Sequence, residues 1–241
     1  RCKTRLKPVL HALSRCGISI PMNPDEIITR IEMRIRELPR RDTQSIRRVR
    51  REFSKELAGE EARDIVKLGL KLLASGDFMH RFIAYELVSG HREALRSLNA
   101  RTLEQLGTQL NRWESVDTFC SYLAGPAWRE GQVPDSLIKR WARSKDRWWR
   151  RAALVSTVPL NNKTRGGSGD SRRTLMICEM LVEDRDDMVE KALSWALREL
   201  AKRDQAAAGA FLRQHKGVVG ARVLREVRNK LTTGLKNPRG R

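Results

Sequence analysis

The chain has 241 residues, enough for one large domain or a repeat array and well beyond the size at which disulfides must hold a core. Hydrophobic residues make up 40% and charged residues 32%, a globular balance that excludes a disordered chain. Lys and Arg number 49 against 29 Asp and Glu, and this net charge of +20 points to a polyanionic partner. No apolar run approaches the ~18 residues of a membrane span, so no membrane partner is expected.

Residues 1–23, opening RCKTRLKPVL, read unlike a secretory signal and are taken as a peripheral N-terminal segment. From there apolar residues recur at helical spacing, without convincing period-2 alternation. Helices are expected over 24–38, 44–57, 60–75 and 78–90, punctuated by Pro39, Gly59, Gly76 and Gly90. They continue over 101–111, 114–124, 134–143 and 147–157, with turns at the Gly125-Pro126 pair and at Pro134. The stretch KTRGGSGDS, 163–171, reads as a flexible surface loop and lacks the GK[ST] ending of a phosphate-binding loop. Helices resume over 172–183, 187–203, 206–215 and 219–234, and 235–241 form a basic tail.

A repeat runs through this pattern. DRWWRRAA (146–153) and DDMVEKAL (186–193) align at a spacing of 40, matching Asp146 with Asp186, Trp148 with Met188, Arg151 with Lys191 and Ala152 with Ala192. DFMHRFIA (77–84) echoes it loosely. An Asp opening a helix, then an apolar residue, a base and Ala at fixed offsets is the pattern of HEAT-type helix pairs, which bury their apolar faces by stacking. The expected fold is therefore all-α: HEAT-like helical repeats in a curved superhelical solenoid with a basic concave face, one domain over 1–241.

The charge is not spread evenly. Residues 30–51 carry +6, 139–151 carry +6 and 213–241 carry +8, so three windows hold the whole excess and the remainder is neutral. Any one window could be a solvated face; brought onto one surface, the three would form a groove that tracks phosphates. Cys2, Cys16, Cys120 and Cys178 have no Cys or His partner at zinc-ligand spacing, and the four His are dispersed. Reduced thiols in an intracellular protein (cytoplasm or nucleoid) are expected, with no metal and no cofactor.

Six Trp stand out beside five Phe and two Tyr. In RWESVDTFC (112–120), Val116, Phe119, Cys120 and Leu123 form the buried stripe of a helix. Trp113 and Asp117, four apart, are then neighbours on its flank. In the helix from 187, Val189, Ala192, Ala196 and Leu200 form the stripe, leaving Trp195 at its edge beside Lys191 and Arg198. Ordinary packing would account for any one of these Trp, and capping or solvation for Asp117. Together with a basic groove they suggest more: an indole face packs on deoxyribose, and a carboxylate stabilises positive charge developing at the sugar when an N-glycosidic bond breaks.

The fragments RWESVD (112–117), RWWRRAAL (147–154) and KALSWALREL (191–200), with weaker similarity in TQSIRRVRREFSKEL (43–57), resemble the DNA alkylation repair family of HEAT-like alkylpurine glycosylases, over about residues 25–230. The resemblance implies a monofunctional hydrolase that removes N3- and N7-alkylated purines from double-stranded DNA and leaves an abasic site, recognising the lesion through the backbone. It places the catalytic carboxylate on Asp117, the sugar-facing indoles on Trp113 and Trp195, and the phosphate-holding base on Arg151, with Arg150 a second candidate. Arg147, Arg47, Arg48, Arg198 and Arg225 complete the expected DNA-binding set, and a monomer is expected. Two departures stand out: Arg112 occupies a position where the family often has an aromatic, and 24–52 contain none at all. A non-enzymatic HEAT-like protein that binds damaged or branched DNA is therefore the alternative.

Overall fold

A computed structural model describes residues 22–74 and 78–238, and among these there are helices and turns but no strand. In chain order the helices are α1 (Pro24–Arg36), α2 (Thr43–Glu56), α3 (Ala62–Ala74), α4 (Phe78–Gly90), α5 (Arg92–Arg96), α6 (Ala100–Leu106) and α7 (Trp113–Phe119). They continue with α8 (Gly125–Arg129), α9 (Asp135–Ala142), α10 (Arg147–Val155), α11 (Val158–Asn161), α12 (Ser171–Met180), α13 (Asp187–Leu200), α14 (Gln205–Gln214) and α15 (Ala221–Thr233). None is long and apolar enough to cross a membrane. Cys2, Cys16 and the segment 1–21 lie outside the described residues, as do 75–77, including Gly76 and Asp77, and 239–241.

Short polar side chains start these helices. Asn23, Asp42, Asp146, Asp170, Asp186 and Asp204 each accept a hydrogen bond from a backbone N–H in the first turn of the helix that follows. Each satisfies a donor with no partner inside the helix, and the charge of the five aspartates faces the positive end of the helix dipole. The repeat legible at 146–153 and 186–193 has this local cause: Asp146 caps Trp148 N–H at 2.8 Å, and Asp186 caps Met188 N–H at 2.9 Å. The two helices so started, α10 and α13, pack directly on each other.

Helices pack as stacked pairs: α3 with α4, α9 with α10, α10 with α13, and α13 with α15. One apolar core runs through nearly the whole described chain, from Ile27 in α1 to Val227 in α15. Both stripes expected around the site, Val116–Phe119–Cys120–Leu123 and Val189–Ala192–Ala196–Leu200, are fully buried.

Three short helices, α5, α8 and α11, fall where no helix was expected, and one of them corrects the turn assigned to Gly125-Pro126. The chain passes from α7 through a π-helical turn, Cys120–Ala124, directly into α8, with Pro126 in its first turn. The wider turn changes the hydrogen-bond register where proline has no N–H to give. Gly125 is required at this point: a Cβ there would lie 2.6 Å from Pro159 Cγ and 2.8 Å from the Cys120 carbonyl oxygen.

The 163–171 segment is a loop with one 3-10 turn, Lys163–Arg165, followed by Gly166 at φ +82°. Several bonds tie it to its surroundings: Gly167 N–H to the Asn162 carbonyl at 2.9 Å, Gly169 N–H to the Leu160 carbonyl at 3.0 Å, and Arg203 to the Gly167 carbonyl at 3.0 Å.

The first charge window is substantially neutralised. Arg30 pairs with Glu56, Arg34 with Glu52 and Glu37, and Arg36 with Glu32. Arg47 and Arg50 share Glu86, which α4 presents from an almost fully buried position. These bases clamp α1 and α4 to α2; Arg40, Arg41, Arg48 and Arg51 remain exposed.

Candidate active site

α7 begins at Trp113, so the indole stands on the first turn and Asp117 one turn further along the same flank. Trp113 is 50% exposed, the most exposed tryptophan in the chain's described part and one of only a few exposed large apolar side chains there. So placed, it offers a large apolar face with a polar tip to a partner. It lines a solvent-open cleft of about 410 Å³. Asp117 and Arg151 lie in that cleft, Met188, Lys191, Trp195 and Arg198 line it from α13, and Arg222, Glu226 and Lys236 also line it.

Of the ten residues singled out from the sequence, five meet here: Trp113, Asp117, Arg151, Trp195 and Arg198. The packing of α10 against both α7 and α13 brings them together.

Arg151 is placed differently from the expected phosphate ligand. Its side chain is only 6% exposed; Nε donates to Asp117 Oδ1 and Nη2 to Oδ2, both at 2.9 Å, and Nη1 donates to the Met188 carbonyl at 2.6 Å. All three nitrogens have acceptors, so its role in this geometry is to fix the carboxylate. Arg150 is committed through two of its three nitrogens: Nε donates to Asp184 at 2.6 Å, and Nη1 to the Ser144 and Lys145 carbonyls. Neither arginine presents a free fork to solvent.

Burial raises the Asp117 carboxyl above the usual aspartate range, and the hydrogen bonds and charge of Arg151 oppose that rise. The bidentate clamp takes one lone pair from each oxygen and leaves others for a ligand.

Arg198 sits deeper than an ordinary surface base. Its Nε donates to Ser194 Oγ at 3.2 Å, and burial lowers its pKa against the opposing pull of Glu226 and Glu199. Arg147 stays half exposed, 3.5 Å from Asp186 and stacked over Trp148, outside the cleft. Arg48 and Arg225 are exposed and Arg47 is bound to Glu86 and Tyr122; none of the three lines the cleft. Arg112 lies over the ring of Phe78, 5.3 Å from its centroid.

A family model described as DNA alkylation repair enzyme matches residues 42–231. The chain belongs to that family. The match opens at Asp42, the cap of α2, and reaches Leu231 in α15, so it spans every cleft residue except Lys236. An all-helical chain of this family has a role in the repair of alkylated DNA, and DNA is the partner that its charge answers. Among curated proteins, none matches the chain.

Five cleft residues lie outside those ten: Met188, Lys191, Arg222, Glu226 and Lys236. The third charge window contained three of them, and Glu226 is its single acid. An isolated acid four residues after Arg222 on a basic helix is the signal that was available, since that spacing puts both on one face.

Proposed function

We propose that the protein is a monofunctional DNA glycosylase that hydrolyses the N-glycosidic bond of N3- and N7-alkylated purines in duplex DNA. The observation that carries this reading is the exposed Trp113 indole beside a carboxylate held in place by Arg151, with Trp195 lining the same cleft.

The chemistry asked of the site is modest. An alkylated purine already bears positive charge, so it departs without a general acid, and the deoxyribose it leaves becomes cationic at C1′. Trp113 and Trp195 pack against the sugar, and the fixed carboxylate of Asp117 stabilises the developing charge and orients the attacking water. Arg151 keeps the carboxylate ionised and aimed. The stacked helix pairs belong to a HEAT-like solenoid whose concave face carries the exposed bases of the three windows. Arg147, Arg48 and Arg225 hold phosphates along it, and Arg198 lies beneath the nucleotide.

The alternative keeps the DNA and drops the chemistry. It draws on the first two helices, where the sole aromatic, Phe53, is buried and under Arg30, so neither helix offers a ring to a damaged base. Release of 7-methylguanine and 3-methyladenine from methylated duplex DNA separates the two: the glycosylase liberates both bases, whereas a binding protein retains the DNA and liberates neither.

A further inference from the structure

Two arginines serve the cleft in different ways. Arg151 spends all three nitrogens on Asp117 and the Met188 carbonyl, whereas Arg198 bonds through Nε alone. That Nε donates to Ser194 Oγ at 3.2 Å, and the same hydroxyl donates its one proton to Glu226 Oε2 at 2.6 Å. Ser194 and Arg198 stand one turn apart on α13, and Glu226 reaches them from α15. Ser194 is fully buried, Glu226 nearly so, and the Arg198 side chain is 17% exposed. Glu226 Oε2 stays 3.8 Å from Arg198 Nε, too far for a direct hydrogen bond, so the hydroxyl carries the link. Among the described residues Arg198 Nη1 and Nη2 have no acceptor. The other bases of the cleft each have a carboxylate: Arg151 has Asp117, Lys191 and Arg222 share Asp187, and Lys236 faces Glu226.

A guanidinium fixed at Nε, withdrawn from bulk water and open at both Nη nitrogens presents a fork that two phosphate oxygens match with parallel N–H···O bonds. We propose that Glu226 is a positioning residue: acting through Ser194, it aims the Arg198 Nη edge at a phosphodiester adjoining the nucleotide in the cleft. The proposal rests on the reading that DNA enters this cleft, and deepens it by naming the group that Arg198 takes and what holds Arg198 in place. Glu226 touches no substrate in this arrangement. The relay fixes Nε, and because the guanidinium is planar and rigid, fixing Nε fixes the direction of Nη1 and Nη2. The carboxylate also offsets the cost of holding the guanidinium out of water, opposing the burial that lowers its pKa.

The test uses duplex DNA carrying one tetrahydrofuran residue, an abasic sugar with no base to release, so binding is read apart from chemistry. Neutral methylphosphonates replace the phosphate on its 5′ or its 3′ side, and affinity is measured by fluorescence titration. Wild type should lose about tenfold at one of the two positions. Arg198→Gln should lose about as much on the unmodified duplex and nothing further on that methylphosphonate. Glu226→Gln and Ser194→Ala, both close in shape to the native side chains, should each weaken binding by about threefold or more, and neither should add to the loss in an Arg198→Gln background. Equal losses with and without Arg198 overturn the positioning role and leave Glu226 a part of the packing alone. A wild type indifferent to both methylphosphonates overturns the phosphate assignment. Release of alkylpurines by the same preparations judges the glycosylase reading separately: coupling without release keeps the relay and sinks that reading, and release without coupling does the reverse.

Discussion

Arg151 holds both carboxylate oxygens of Asp117, each at 2.9 Å, and uses its remaining nitrogen on the Met188 carbonyl. The pair joins α7, α10 and α13 at the floor of the cleft. Because burial raises the Asp117 pKa and the arginine lowers it, the ionised carboxylate depends on its partner. Base release should therefore lose rate as pH falls, with a midpoint above the ordinary aspartate value of about 4. Arg151→Gln removes the lowering influence and should move that midpoint further up. The check is single-turnover release from pH 4 to 8; a rate indifferent to pH across that range contradicts the assigned charge state.

The same pair has a stability consequence. A buried carboxylate stripped of its partner is left unpaired, at a cost of about 3–5 kcal/mol, reduced here because Asp117 keeps 18% of its side chain exposed. Urea unfolding should place Arg151→Met well below wild type. A double variant, Asp117→Asn with Arg151→Met, should recover part of the loss, since it leaves no uncompensated charge.

Trp113 behaves oppositely. Its side chain stands half in solvent, so Trp113→Ala should change stability by less than about 0.5 kcal/mol. Stacking of a ring on a nucleotide is worth about 1–3 kcal/mol, which predicts a loss of roughly tenfold to a hundredfold in DNA affinity or base release. Thermal unfolding and release assays on one preparation settle the matter; a large drop in Tm would assign the indole to packing instead.

Arg150 should separate cleanly from Arg147, its neighbour on α10. Arg147→Ala, at a half-exposed base, should flatten the dependence of log affinity on log salt by about one contact. Arg150→Ala should leave the slope unchanged and lower stability, because Arg150 is spent on Asp184 and two carbonyls. Fluorescence titration at several salt concentrations measures both.

Gly125→Ala should destabilise the fold by about 1–3 kcal/mol, since its Cβ would meet Pro159 and the Cys120 carbonyl at the π-helical turn below Asp117. Denaturant unfolding checks it, and a wild-type midpoint would mean that α11 can yield.

The sequence carried the helices and the heart of the cleft because both depend on local spacing. Asp caps, stripes at helical period and the Trp113–Asp117 offset of four are written in consecutive residues, and they reappear in the structure. The short helices α5, α8 and α11 were not legible, since each spans fewer than two turns and shows no period. Gly125-Pro126 misled for a related reason: a pair that usually ends a helix is accommodated here by a wider turn and the close approach of Pro159. Charge was the least local signal. Counting bases could not reveal that Arg30, Arg34, Arg47 and Arg50 clamp helices through acids on neighbouring helices, or that Arg151 faces Asp117. The contact of Lys236 with Glu226 depends on a chain reversal at Gly234, which no window of sequence announced.

The most direct measurement is single-turnover release of 7-methylguanine from duplex DNA by wild type and Asp117→Asn, with DNA binding measured alongside. A glycosylase built on this carboxylate should lose about 10² to 10³ in rate while affinity for the duplex is kept. Equal release by the two proteins, or none by wild type with binding intact, contradicts the account.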